Sequence, residues 1–436
     1  MIAPDGIFGA VVRPLQAFVR MQAASGILFL GSAVAALLWA NLHPASYQSV
    51  FDCPLSLGAG ARTAHFTTRQ LINDGLMAIF FFVVGMEIKR ELVTGELNSV
   101  GKASLPAVAA LGGMVVPAAI FLAFTWGGEG QAGWGIPMAT DIAFCVGILT
   151  LLKSRVPHAL IVFVTALAIF DDIGGILVIA FFYGHGLDIA WLVGAVVLTL
   201  VLFAMNRAYV VSGLAYAAVG AGLWYALHHG GIHATIAGVI LGLMIPARSL
   251  RPSRDILTEL AQHVSQLDSK ALDEELDSAE ILSIEEKLED LEAPVQRFVP
   301  LLHPFVAFFI MPTFALANSG VFLGDAGLSS LVAPVALGSA AGLFLGKQVG
   351  IFSLTLLAVR IGVAPMPGRA SLAKLYGVSV LSGIGFTVAL FIASLAYPSA
   401  PALLDDAKVG ILVGSFVAGV VGFVILRCAP ATQAAR

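Results

Sequence analysis

Residues 159–183 read ALIVFVTALAIFDDIGGILVIAFFY, and Asp171 and Asp172 at the centre are the only charges in the run. A membrane-spanning helix needs about 20 apolar residues, so this stretch is long enough to cross a bilayer. One acid at the bilayer midplane costs about 2.5–3.5 kcal/mol on insertion scales, and two neighbours about double that. An acid at that depth points first to an ion or proton site. Two aspartates that merely cap a kinked helix are the weaker reading, because capping gives no reason to place them so deep.

The rest of the chain has the same character. Of its 436 residues, 58% are hydrophobic and 11% charged, where a soluble domain carries about a quarter charged residues. The mean hydropathy is +0.93. This composition describes a polytopic membrane protein, and an all-α one, because backbone groups in lipid must pair internally. The alternating pattern of an outer-membrane barrel is absent. Apolar runs of spanning length number about twelve. They lie over 24–42, 72–88, 105–126, 134–152, 159–183, 188–206, 210–227, 233–247, 300–323, 330–358, 373–397 and 407–427. The run after Arg20 is long and has no small-residue cleavage site, so it is expected to remain as the first membrane helix. Cys53, Cys145 and Cys428 are scattered, which implies neither a disulfide framework nor a zinc site. No cofactor and no nucleic-acid partner is called for.

Basic residues orient the spans. Most of the 23 Lys and Arg fall on one side under this count. Arg62, Arg69 and Lys408 fall on the other, and Lys347 is expected to be the one base inside a span. The positive-inside rule then places both termini in the cytoplasm. The chain divides into an N-terminal membrane part over 1–247 (about eight helices), an insert over 248–297, and a C-terminal membrane part over 298–436 (about four helices). The insert holds 13 of the 27 acids between Leu and Ile at near-helical spacing. It reads as a solvated cytoplasmic helical linker rather than a regulatory module.

Three other spans carry charge at depth. Asp141 lies in GWGIPMATDIAFCVGIL, Lys347 in GSAAGLFLGKQVGIFSLTL, and Glu87 near the end of INDGLMAIFFFVVGMEIKREL. Asp74 opens that last span and is expected to cap it. Pro137, Thr140 and four nearby glycines (Gly130, Gly133, Gly135, Gly147) make the Asp141 segment a candidate broken helix. Lipid tolerates such a break only where it is buried or lines a cavity. Ser382-Gly383-Ile384-Gly385 interrupts a second span without any charge. Two interrupted spans point to a transporter's binding site, against the alternative of close helix packing at glycine. A broken helix exposes partial positive charge at one end and partial negative charge at the other. Where two such helices cross, one acid and one base can neutralise the facing ends, and Asp141 and Lys347 have the signs for it.

Asp171 and Asp172 project about 100° apart, so they cannot face the same way. One can face a water-filled cavity while the other meets Lys347. Carboxylate oxygens ligate hard cations and are also the atoms that take protons. Opened alternately to each side, that competition is cation/proton antiport.

Several segments resemble NhaA-type sodium/proton antiporters: Ala78–Gly95 (AIFFFVVGMEIKRELVTG), Gly135–Leu149, Leu167–Leu177 (LAIFDDIGGIL) and His233–Gly242 (HATIAGVILG). Pro312–Val321 (PTFALANSGV), Gly346–Val349 and Gly383–Ala389 (GIGFTVA) match as well. The likeness covers most of the chain except the insert. It implies about twelve helices in two inverted repeats, with the spans of Asp141 and of Gly383–Gly385 as crossed discontinuous helices. It implies that Asp172 is a principal sodium ligand, with Asp171 beside it and paired to Lys347 in one state. Thr140 and Asp141 would sit at a helix break, Asp141 tuning the charge. Sodium and lithium would be expelled from a bacterial inner membrane in electrogenic exchange for protons, serving sodium and pH homeostasis, by a homodimer. Glu87, Glu91 and His233 resemble residues of the family's pH response, although the insert falls where part of that sensor would lie.

Rival readings fit less well. The nearest rival is a symporter, or an antiporter for another ion or an organic anion, on the same fold; an organic substrate would want a larger polar cavity and an arginine at depth. Asp171-Asp172 resembles the start of a prenyltransferase Mg²⁺ motif, but Ile173-Gly174-Gly175 follow where a further acid is needed. Asp141 with Asp171 could serve an intramembrane aspartyl protease, a reading that Lys347 weakens. A channel would be slowed by so tight a charge cluster.

Overall fold

A computed structural model of the chain describes residues 24–59, 62–184, 186–249, 256–262, 292–322 and 329–430. Most of the expected acidic insert and both chain ends lie outside those residues. Each apolar run expected to span contains helix, and several of the helices begin at a side-chain cap. In chain order they are α1 (Ala24–Leu42), α2 (Pro44–Phe51), α3 (Thr68–Val93), α4 (Val100–Thr125), α5 (Ile142–Leu151) and α6 (His158–Phe182). Then follow α7 (Ile189–Arg207), α8 (Gly213–His229), α9 (Thr235–Met244), α10 (Pro294–Asn318), α11 (Pro334–Arg360), α12 (Leu372–Leu381), α13 (Phe386–Ala396) and α14 (Pro401–Cys428). Asp188 Oδ1 accepts from the Ala190 amide at 2.9 Å at the start of α7, and the Ser212 and Ser371 hydroxyls do the same for α8 and α12.

Among the described residues nine helices are long and apolar enough to cross a membrane, and α12 with α13, bent by 43°, makes a tenth. The expected runs at 210–227 and 233–247 form α8 and α9, of 17 and 10 residues, shorter than the roughly 20 residues that a full span needs. The expectation of twelve full spans is therefore not reached by length alone. The chain is a helix-rich polytopic membrane protein.

Residues 54–67, which sequence reading leaves unassigned, form an antiparallel hairpin of β1 (Pro54–Ala59) and β2 (Arg62–Thr67), in register from Pro54 opposite Thr67 to Ala59 opposite Arg62. Two local expectations are corrected. Asp74 does not cap α3. Thr67 does, in a reciprocal box with Gln70, and Asp74 lies inside a π-helical turn at Leu71–Leu76. Lys408 is not an outer-loop charge either: it is buried two turns into α14, 3.0 Å from Asp405 Oδ1. Lys347 is thus not the only base within a span.

The larger of two compact units comprises residues 1–77, 96–184 and 307–436, and the smaller comprises 78–95 and 185–306. In the larger unit, α4 and α11 approach closely through Gly112 and Gly350, since a Cβ on either would overlap the other's carbonyl group. Small residues allow this contact in membrane bundles, where packing rather than water drives helices together. Gly112→Val is expected to lower thermal stability in detergent by about 1–3 kcal/mol, the usual cost of overpacking. An unchanged melt would mean that the two helices can separate freely. In the smaller unit, α9 lies against α3 through Gly238 and Gly242, and Lys89 Nζ donates to the Leu243 carbonyl at 2.7 Å.

Candidate functional site at two helix breaks

Proline and glycine place the breaks. Glu129–Met138 is a 3₁₀ stretch, Ala139–Asp141 leave the helix, and α5 begins at Ile142. Gly133 and Gly135 let two tyrosines close on that stretch, with Tyr397 Oη donating to the Gly130 carbonyl at 2.6 Å and Tyr183 Oη to the Ala132 carbonyl at 2.9 Å. The second break, Ser382–Gly385, separates α12 from α13. The two breaks touch: the Asp141 amide donates to the Ile384 carbonyl at 2.6 Å.

Asp141, 2% exposed, lies where two helix N-termini meet. Its Oδ1 accepts from the Phe144 amide at 3.3 Å, in the first turn of α5. Its Oδ2 accepts from Thr387 at the start of α13, from the hydroxyl at 2.6 Å and the amide at 3.3 Å. A carboxylate offsets the partial positive charge of both ends. Lys347, fully buried, lies at an end of opposite sign. Its Nζ donates to the Met138 carbonyl at 2.5 Å, the last residue of the 3₁₀ stretch. The same ammonium lies 2.5 Å from Asp171 Oδ2, and neither side chain of this pair is exposed.

Thr140 joins the breaks to α6. Its Oγ1 lies 2.7 Å from Asp171 Oδ2 and 3.0 Å from the Ser382 carbonyl. Asp171 Oδ1, by contrast, is buried with no hydrogen-bond partner among the described residues. A buried polar atom without a partner is costly, and calls for a ligand, a proton or a water. Asp172 occupies the next position of α6 and keeps 6% exposure, against 1% for Asp171.

The structure therefore gathers Thr140, Asp141, Asp171 and Lys347 at one crossing, with Asp172 adjacent on α6. Glu87, Glu91 and His233 fall in the smaller unit. There Glu87 has His303, Arg90 and Glu91 as charged neighbours, Arg90 lies 3.4 Å from Glu91, and His233 sits in the turn before α9. Sequence reading missed Thr387, whose signal was its place just after a glycine break. It also missed the Met138, Ser382 and Ile384 carbonyls, which carry no sequence signal because every residue has one.

A carboxylate with one open oxygen and an ammonium tethered beside it can take a small hard cation or a proton. The family model described as Na+/H+ antiporter 1 matches residues 16–426. An Na(+)/H(+) antiporter NhaA from Anaeromyxobacter sp. is 64% identical over 426 residues, covering 97% of this chain and 93% of that relative. Na(+)/H(+) antiporter NhaA 1 from Myxococcus xanthus is 57% identical over 422 residues, 97% of this chain and 94% of its own length. An Na(+)/H(+) antiporter NhaA from Oleidesulfovibrio alaskensis is 45% identical over 424 residues, 96% of this chain and 94% of its own.

Proposed function

This chain belongs to the Na+/H+ antiporter 1 family, and from that premise we propose that it exchanges sodium or lithium for protons by competition at Asp171 and Asp172. The observation that carries the reading is the Asp171–Lys347 pair, fully buried on both sides, with Asp171 Oδ1 left open. With no ion bound, the ammonium neutralises Asp171. A sodium ion entering beside Asp172 offers the carboxylates a second cation, and Lys347 gives way. A proton reaching the same oxygens also neutralises them, so the two cannot be bound together. Thr140 and Asp141 hold the crossing in shape while this happens, Asp141 by neutralising the ends of α5 and α13. The exchange is electrogenic in this reading, moving more protons than sodium ions per cycle.

The protein sits in a bacterial inner membrane in this proposal, with both termini cytoplasmic, and works as a homodimer in sodium and pH homeostasis. Glu87, Glu91 and His233 contribute to its pH response. The acidic insert is a cytoplasmic linker between the membrane parts 1–247 and 298–436.

Everted vesicles with an acid-quenched dye test the exchange. Sodium and lithium salts should restore fluorescence and potassium should not. The sodium concentration for half-recovery should rise as pH falls, by about tenfold per unit for each proton that competes with one sodium ion. A half-recovery concentration that stayed flat from neutral to alkaline pH would rule out shared oxygens. No recovery with any cation would turn attention to the symporter reading.

A further inference from the structure

Lys347 is aimed by an irregularity in its own helix. Within α11, Gly342–Gly346 (GLFLG) forms a π-helical turn, and the Lys347 amide donates back to the Gly342 carbonyl, five residues earlier. The glycines at its ends let the turn sit tightly on the first break and on α4. A Cβ on Gly342 would lie 2.6 Å from Pro137 Cβ, and one on Gly346 2.6 Å from Pro117 Cα. Leu343 of the same turn reaches the second break, where a Cβ on Gly385 would lie 2.6 Å from Leu343 Cδ2. A π turn holds one residue more than an α turn, is uncommon, and occurs often at functional sites. Taking that residue out would rotate Lys347 by about 100° around α11, away from Asp171.

Two polar side chains brace this turn. Gln348, 5% exposed, donates from Nε2 to the Phe344 carbonyl inside the turn at 2.7 Å. Its Oε1 accepts from Tyr376 Oη on α12 at 2.5 Å. The Tyr376 ring stands edge-on to Phe352, with centroids 5.5 Å apart. An amide in an apolar bundle is costly unless both its ends are bonded. Here both are, and the bonds tie the π turn to the helix that leads into the second break. Nothing in the described site needs a glutamine beside the lysine for binding or charge.

We propose that Tyr376 and Gln348 are positioning residues for Lys347: they hold the π turn that aims its ammonium at Asp171. The proposal rests on the exchange described above. In that exchange Lys347 is the tethered rival of the transported ion, and each turnover displaces it and brings it back. Loosening its aim lets the ion bind at lower concentration and leave more slowly.

Tyr376→Phe removes the hydroxyl and keeps the ring on Phe352. In proteoliposomes at alkaline pH, where protons compete least, its KM for sodium should fall about threefold to tenfold, the worth of one hydrogen bond, and its maximal rate should fall as well. Gln348→Leu should act in the same direction, and the double variant should go no further than either single one, as members of one network do. A KM that is unchanged or raised, with only the rate or the melting temperature reduced, would mean the brace is structural and would overturn the proposal. Wild-type protein showing no sodium-dependent proton movement would overturn the exchange itself, and would do so before any variant was compared.

Discussion

Asp172→Asn is expected to bring cation-driven proton movement down to the level of vesicles lacking the protein, while the purified variant melts in detergent like the wild type. Asparagine keeps the size and shape of aspartate, so the packing of α6 stays intact. It loses the charge, and with it the means of drawing a bare cation out of water. A neutral amide lacks the charge that offsets sodium's dehydration and does not take up a proton, so both halves of the cycle fail together. Asp171 alone does not make up the loss, since one of its oxygens is held by Lys347 and Thr140 and a single open oxygen does not replace the second carboxylate. Removing a buried charge also relieves the desolvation of that acid. Wild-type turnover in a folded Asp172→Asn protein would sink the assignment of this residue. Turnover lost along with the fold would leave the matter to Asp172→Glu, which keeps the carboxylate and should retain measurable exchange.

Depth and charge made much of this site readable from sequence. Asp171, Asp172, Asp141 and Lys347 stand out because a charge inside an apolar run has an energetic cost that can be read residue by residue. The breaks were readable for a related reason: Pro137 and the Ser382–Gly385 run remove or loosen backbone bonds at fixed positions. What stayed hidden depends on distances across the fold. Thr387 becomes a ligand of Asp141 only once α5 and α13 meet. The π turn before Lys347 has no signature beyond two glycines, which serve equally well for close packing. The hairpin at Pro54–Thr67 alternates too briefly to stand apart from a loop. Thr67 and Asp74 are both plausible caps in one dimension, and only the start of α3 decides between them. Lys408 shows the limit of orienting by charge: a lysine near a span's end can turn inward and find Asp405 instead of water.

The outcome for the rival readings follows from the same geometry. A protease needs two acids facing one scissile bond. Here Asp141 accepts from Phe144 and Thr387 at the ends of α5 and α13, and Asp171 Oδ2 is paired with Lys347, an arrangement that holds the two acids in separate charge-compensating roles. Membership of a transporter family agrees with that.

Lys347→Ala should be the most damaging single change to stability, costing about 3–5 kcal/mol, because it strips a buried pair of one partner. Asp171 and the Met138 carbonyl would both be left without their donor in a dry site. The loss should depend on pH with a definite sign. At high pH Asp171 is charged and the missing ammonium is felt in full. At low pH the carboxyl is protonated and needs no counter-ion, so the gap to wild type should narrow. Thermal melts in detergent across that range check this, and a variant that melts like the wild type at every pH would dissolve the pair as a structural element. Adding Asp171→Asn to Lys347→Ala should recover much of the loss, since two neutral partners replace one stranded charge. That recovery would also expose what the pair is for. Apolar residues of the same volume would serve the packing as well or better. They could not offer a desolvated carboxylate with one oxygen open and a counter-cation tethered within reach, and a site that must hold and release a small cation requires both.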